Sequence, residues 1–546
     1  MRKSVNPLGR RLHRAVALLV VSSTLFLGGA APAQASVPTR ATPVPAKASG
    51  LLGGLLGPVG GLLGGLLSGV VGVVTTAADT TLGLLTGADW GYSSGQTTMT
   101  QVNQAVGATG LHNSGVTGKG VGVALVDTGV VPVPGLTSGN VVNGPDLSLD
   151  NGSATQGHLD GFGHGTHMAG IIAGNDGTKS GFTGVAPGAT LVNVKTGASS
   201  GAVDVSQVIA AIDWVVQHRN DPGLNIRVLN LSYGTDGTQP YASDPLAAAV
   251  ERAWRAGIVV VVAGGNSGSD QPSLDNPATD PYVIAVGADD TNGTTSSLDD
   301  TVPVFSSQGS SSRHVDLVAP GQSIVSLRDP GSVIDTEYPK AVVDSRYFKG
   351  SGTSQAAAVV SGAAALLLQQ RPSLTPDQVK ALLVDTASPM PKASATSRGA
   401  GLLNVAAASL APIGAVKQTW PASSGLGSLE AARGDDHISD NNVDLTGEQD
   451  VFGSPWSAAG WPAASSSGSA WSGGVFHGST WAGGCWCGVS WTPRTWSDVS
   501  WQGADWAGTP WLSHSWSAEA WSSHSWSGSG WVSHSWSSHS WSGSSW

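Results

Sequence analysis

Two histidines three residues apart, in the stretch DGFGHGTHMAG (Asp160–Gly170), are the first candidates for chemistry. His164 and His167 admit two readings. An H-x-x-H pair suits zinc when both rings share one helix face. It equally suits an imidazole that moves a proton, followed by a bystander. Zinc would need further ligands, and HGTH lacks the glutamate of H-E-x-x-H. A proton-moving imidazole needs a carboxylate to orient it and a nucleophile to deprotonate. Two other stretches offer those groups. VALVDTG sets Asp127 at the end of an apolar run, before a turn; GSGTSQAAAVVSGAAALLL sets Ser354 at the start of an apolar helical stretch. Each is short and weak alone. Their joint order, Asp then His then Ser, in these local contexts, is a specific signal.

The elements that must position these residues are legible as well. Runs such as GVGVALVD, ATLVNVK, RVLNLSYG and GIVVVVAGGN alternate with helical stretches such as VSQVIAAIDWVVQHR and DPLAAAVERAWRAG. Apolar strands with helices between them predict an α/β fold, a mostly parallel sheet covered on both faces.

On these residues the chain resembles the subtilases, the subtilisin-like serine proteases, over about residues 105–411. The family motifs read here as DTG (127–129), HGTHMAG (164–170) and GTSQAAAVVSG (352–362), with GVAPGATLVNVKTG, VLNLSYG, VVVVAGGNSG, VAPG and GAGLLNV in order between and after them. The resemblance implies a subtilisin-like fold and a serine endopeptidase working through an acyl-enzyme. Asp127, His164 and Ser354 would form the triad, His167 would be structural, and Asn266 would be the oxyanion-hole asparagine. Ser232, Tyr233 and Gly234 would pair with the substrate backbone, with Gly197–Gly201 as the facing edge. Ala263, Gly264 and Gly265 would line the pocket for the side chain before the cut. No acidic residue stands in these segments, so the resemblance implies apolar or broad specificity. The chemistry requires no cofactor and no metal. A structural calcium ion held through Asn175 and Asp176 stands as an alternative to a plain turn. One departure is local: Gln355-Ala356-Ala357-Ala358 follow the nucleophile where the family has Met-Ala-Ser-Pro. The alternative from another class is a surface adhesin or structural protein with an inactive subtilase fold.

The flanks are unusual. Basic residues Arg2–Arg14, the apolar run AVALLVVSSTLFLGGA and the small residues AQA read as an export signal over 1–35. Residues 36–104 follow as a Gly/Leu-rich pro-segment or surface-associating segment, uncharged between Lys47 and Asp79. Residues 412–450 read as a linker, and 451–546 as a tail with Trp at almost every fifth position from 456 to 546. A period of five makes no stripe on a helix and alternates faces on a strand. A β-solenoid and a low-complexity sticky tail both remain open. Either way, spaced indole rings suit contact with a cell surface or polysaccharide. A net charge of −11 with 12% charged residues argues against nucleic acid, which demands clustered Lys and Arg. The expected partners are therefore protein or peptide substrates. The protein is expected to act as a secreted monomer, with its tail suited to hold it at a cell surface.

Overall fold

The computed structural model describes residues 96–471, short gaps aside, and the backbones of 475–476, 479–480 and 494–495; the gaps are 151–156, 179–180, 269–272, 436, 441–442 and 452–454. The export signal, most of the Gly/Leu-rich segment, Cys485, Cys487 and most of the Trp tail lie outside the described residues. Among the described residues, no helix is long and apolar enough to cross a membrane.

Seven parallel strands form the central sheet: β1 (Gly122–Asp127), β2 (Val141–Asp146), β3 (Thr190–Lys195), β4 (Ile226–Leu231), β5 (Val259–Ala263), β6 (Ile284–Asp289) and β7 (Leu317–Pro320). Their spatial order is β2-β3-β1-β4-β5-β6-β7, and a two-residue strand, β8 (Arg494–Thr495), pairs antiparallel with the β2 edge. Every residue of β1 and β5 is buried, as expected of Val-rich strands covered on both faces. This bears out the expected α/β architecture.

Helices α1 (His164–Ala173), α2 (Val205–His218), α3 (Pro245–Arg255), α4 (Thr353–Gln370) and α5 (Pro376–Asp385) cover the sheet. Their starts follow from local chemistry. Asp204 caps α2 in a reciprocal capping box with Gln207, and Asp244 caps α3 with Pro245 in its first turn. The first strand lies inside the sheet, with β3 on one side and β4 on the other. The chain reverses direction across the sheet at β1, so the carboxyl ends of β3, β1 and β4 mark the place where an open parallel sheet is expected to take a ligand.

The stretch expected as a linker is packed against this domain. Helix α6 (Leu429–Arg433) buries Leu429 and Ala432. Arg433 has no exposed surface. Its Nε donates to Asp204 Oδ2 at 2.6 Å and one terminal nitrogen donates to the Gly447 carbonyl at 2.7 Å. Thr235 Oγ1 donates to the Ala432 carbonyl at 2.6 Å. The first tail tryptophans are seated too. Trp456, Trp461 and Trp471 are buried, with Trp456 5.4 Å from Trp461 and 6.1 Å from Trp471 between ring centroids. Trp471 Nε1 donates to Asp213 Oδ2 at 2.9 Å, and Arg252 pairs with the same carboxylate while lying 5.7 Å above the Trp461 ring. The physical reason is partner supply. Asp204, Asp213 and Arg252 sit on α2 and α3, and their burial requires the groups that residues 429–471 bring.

Arg433→Ala should therefore lower unfolding stability by about 3–5 kcal/mol, because it leaves Asp204 buried without its cation. Urea denaturation of the matured protein measures this. A loss below about 1 kcal/mol would mean that residues 429–451 are only loosely attached.

Candidate active site

Asp127 closes β1, and the chain turns at once. Its Oδ1 accepts from Thr128 N at 2.8 Å and from His164 Nδ1 at 2.6 Å. Both side chains are fully buried. His164 is the first residue of α1, whose preceding residue, Gly163, makes no side-chain cap. Asp160 supplies the missing acceptors. Its Oδ1 accepts from Gly163 N at 2.6 Å and its Oδ2 from Thr166 N at 2.7 Å. Burial pushes the Asp160 carboxyl above the usual carboxylate range, while these backbone donors and Thr128 pull the other way. Thr128 Oγ1 joins the two acidic residues, donating to Asp160 Oδ1 at 2.8 Å and accepting from Gly165 N at 2.9 Å. Helix and turn touch backbone to backbone: a Cβ on Gly165 would lie 2.0 Å from the Gly129 carbonyl oxygen. Only glycine fits there.

Ser354 lies in the first turn of α4, which packs against α1. Ser232 Oγ donates to its carbonyl at 3.3 Å. Asn266 stands beside it. Thr353 N donates to Asn266 Oδ1 at 2.8 Å, and Thr353 Oγ1 donates to the same oxygen at 3.0 Å. With Oδ1 so engaged, the amide nitrogen points the other way. Asn266 Nδ2 and Ser354 N lie 3.6 and 3.7 Å from the point a Cβ on Gly352 would occupy, so two N–H donors flank one small space. Gln355, the departure noted above, is buried next to it, with its side-chain oxygen 2.7 Å from that same point.

His167 is placed elsewhere. It is buried, and its Nε2 donates to the Phe348 carbonyl at 3.1 Å. Burial is the main cause that holds its pKa down to about 3. Among the described residues no cluster of three or more His, Cys, Asp or Glu could hold a metal. Asp176, suggested for calcium, instead accepts from Arg346 at 2.7 Å, and Asn175 Oδ1 accepts from Gly177 N at 2.7 Å as in a plain turn.

The segments expected to bind substrate converge on this point. Thr196 N donates to the Asp127 carbonyl at 2.8 Å, so the Gly197–Gly201 loop starts beside Asp127. Gly265 N donates to Thr353 Oγ1 at 3.2 Å, tying Ala263–Gly265 to the turn that carries Ser354. One residue was missed. Asp275 lies between the Gly234 and Gly265 segments: a Cβ on Gly265 would be 2.6 Å from both of its carboxylate oxygens, and one on Gly234 would be 2.7 Å from its Cβ. It is held there by Thr235 and Asn276, which exchange backbone hydrogen bonds of 2.9 Å each.

The subtilase family model matches residues 118–411, more than half of the 546 residues. The chain belongs to the subtilase family. Serine protease AprX of Bacillus subtilis (strain 168) is 42% identical over 296 residues, 53% of this chain and 66% of that protein. Subtilisin DY of Bacillus licheniformis is 37% identical over 296 residues, 54% of this chain and 92% of that protein. A crystal structure of a cold adapted subtilisin-like serine proteinase is 34% identical, with a TM-score of 0.40, covering 53% of this chain and 88% of that one. The class of this subtilase is thus subtilisin-like serine endopeptidase.

His167 gives a stability test with a definite sign. In the unfolded chain it protonates near its ordinary value of 6.5, whereas in the fold it stays neutral down to about 3. The unfolded state therefore binds more protons between these values, and stability falls as pH drops through that window, by up to about 1.4 kcal/mol per pH unit from this group. His167→Gln should flatten the fall of Tm between pH 6.5 and 4. An unchanged slope would show that other groups carry the acid sensitivity.

Proposed function

We propose that this subtilase is a secreted endopeptidase that cleaves protein and peptide substrates with Asp127, His164 and Ser354. The observation that carries the reading is the buried 2.6 Å contact between His164 Nδ1 and Asp127 Oδ1 at the start of α1, with Ser354 in the first turn of the helix packed against it. In this mechanism Ser354 Oγ attacks the scissile carbonyl, and His164 Nε2 takes its proton and later gives it to the leaving amine. Asp127 holds the Nδ1–H tautomer and stabilises the imidazolium. The oxyanion develops between Asn266 Nδ2 and Ser354 N. A water then repeats the sequence on the acyl-enzyme, with His164 as base again.

The substrate lies extended between Gly197–Gly201 and Ser232–Gly234, adding a strand by backbone hydrogen bonding. The chemistry calls on no cofactor, since an imidazole activates the hydroxyl directly. The N-terminal 35 residues direct export, and the tryptophan-rich tail holds the enzyme at a cell surface or polysaccharide.

A fluorophosphonate probe tests the core of this reading. The matured protein should be labelled, and Ser354→Ala and His164→Ala should not. Asn266→Ala should lower kcat by about 10²–10³, a magnitude carried over from subtilisin, the worked case for such a donor. Turnover should survive a chelator added just before assay. An unlabelled, folded protein would favour the inactive adhesin instead.

A further inference from the structure

We propose that Asp275 is a specificity-determining residue that selects a basic side chain, arginine or lysine, immediately before the scissile bond. The inference rests on the peptidase reading and goes beyond it by naming the substrate class. It reverses the apolar or broad preference that the substrate-binding segments imply on their own.

The pocket follows from the bonds around the nucleophile. Ser232–Gly234 is tied to Ser354 through Ser232, and Ala263–Gly265 is tied to Thr353 through the Gly265 amide. A substrate residue whose carbonyl faces Ser354 places its side chain between these two segments. Both have glycine where they face each other, and the space those glycines leave holds the Asp275 carboxylate. Its oxygens sit next to Gly265, one residue from Asn266, so the negative charge stands between the two segments, close to the Asn266 amide.

The carboxylate is unspent. Asp275 accepts no hydrogen bond on its side chain and pairs with no Lys, Arg or His among the described residues. Its backbone N–H alone is bonded, to the Gly264 carbonyl at 3.2 Å. The side chain is only partly exposed, so water does not fully replace a partner. Burial raises the Asp275 carboxyl to about 7, and Asp236, of the same sign, adds to the shift. A cationic substrate group relieves both penalties at once. Arginine and lysine suit such a site, because each carries its cation at the end of a long apolar stem that can pack against the glycine segments. An apolar side chain of similar length would desolvate the carboxylate without pairing it. A carboxylate at the floor of such a pocket is a general way to select a basic residue before the cut.

The test uses the matured full chain and peptide p-nitroanilides that differ only in the residue before the scissile bond: Arg, Lys, Leu or Phe. For the wild type, kcat/KM with Arg or Lys should exceed that with Leu by about tenfold or more at pH 8. Asp275→Asn, which keeps shape and removes charge, should lower the Arg-to-Leu ratio about 10- to 100-fold, the range for a hydrogen bond to a charged group. The same ratio in the wild type should rise with pH between 6 and 8, as the carboxyl ionises. Any ionisation that acts equally on both substrates cancels in the ratio. The inference is overturned if a fluorophosphonate-reactive wild type prefers Leu or Phe at pH 8, or if Asp275→Asn leaves the ratio unchanged. Should that variant fail to fold, the wild-type ratio and its pH dependence decide alone. A wild type that does not react with the fluorophosphonate would sink the peptidase reading itself, a different failure.

Discussion

The site depends on how the first turn of α1 sits against the end of β1, and one hydroxyl holds it there. Thr128 Oγ1 takes the Gly165 amide from the helix and gives its proton to Asp160, while Asp160 binds the Gly163 and Thr166 amides on the same first turn. The backbone contact between Gly165 and Gly129 leaves no room for this turn to slide. Asp127 and His164 are thereby brought to hydrogen-bond distance by backbone geometry, before their own attraction is counted. That order matters. A buried carboxylate–imidazole pair gives little net stability after desolvation, so it must be held by its surroundings rather than hold them.

The same logic runs outward. Asp204 starts α2 just beyond the Gly197–Gly201 loop, and Thr235 follows directly on the Ser232–Gly234 segment. Both bond to the α6 region, Asp204 to Arg433 and Thr235 to the Ala432 carbonyl. The C-terminal segment thus braces the two loops that follow β3 and β4, at a distance from Asp127 and His164.

Placement was legible in the sequence where it is set locally. Asp127 ends β1, His164 begins α1 and Ser354 lies in the first turn of α4, and their immediate neighbours fix the backbone there. The Val-rich strands declared their burial in the same way. It failed where a residue acts across a gap in the chain. Asp275 reaches the pocket only because the Thr235–Asn276 bridge folds a distant loop against Gly234. Asp160 lies four residues before His164, yet its capping role needs the turn that Thr128 pins. Residues 412–450 misled through composition. Pro, Ser and Gly suggested a linker, while Arg433 and, just beyond, three tryptophans of the tail pack against the domain.

A carboxylate at the pocket floor also changes how the enzyme must regard its own chain. Residues 48–118 contain no Lys or Arg, and residues 434–546 contain a single one, Arg494, whose backbone is paired in β8 against the sheet edge. An enzyme that cuts after basic residues would find no cleavage point in the whole Gly/Leu-rich stretch after Lys47. In the tail it would find one, already held in a strand. The long low-complexity flanks, which any broad-specificity protease would trim, are written almost entirely in letters that this pocket does not read.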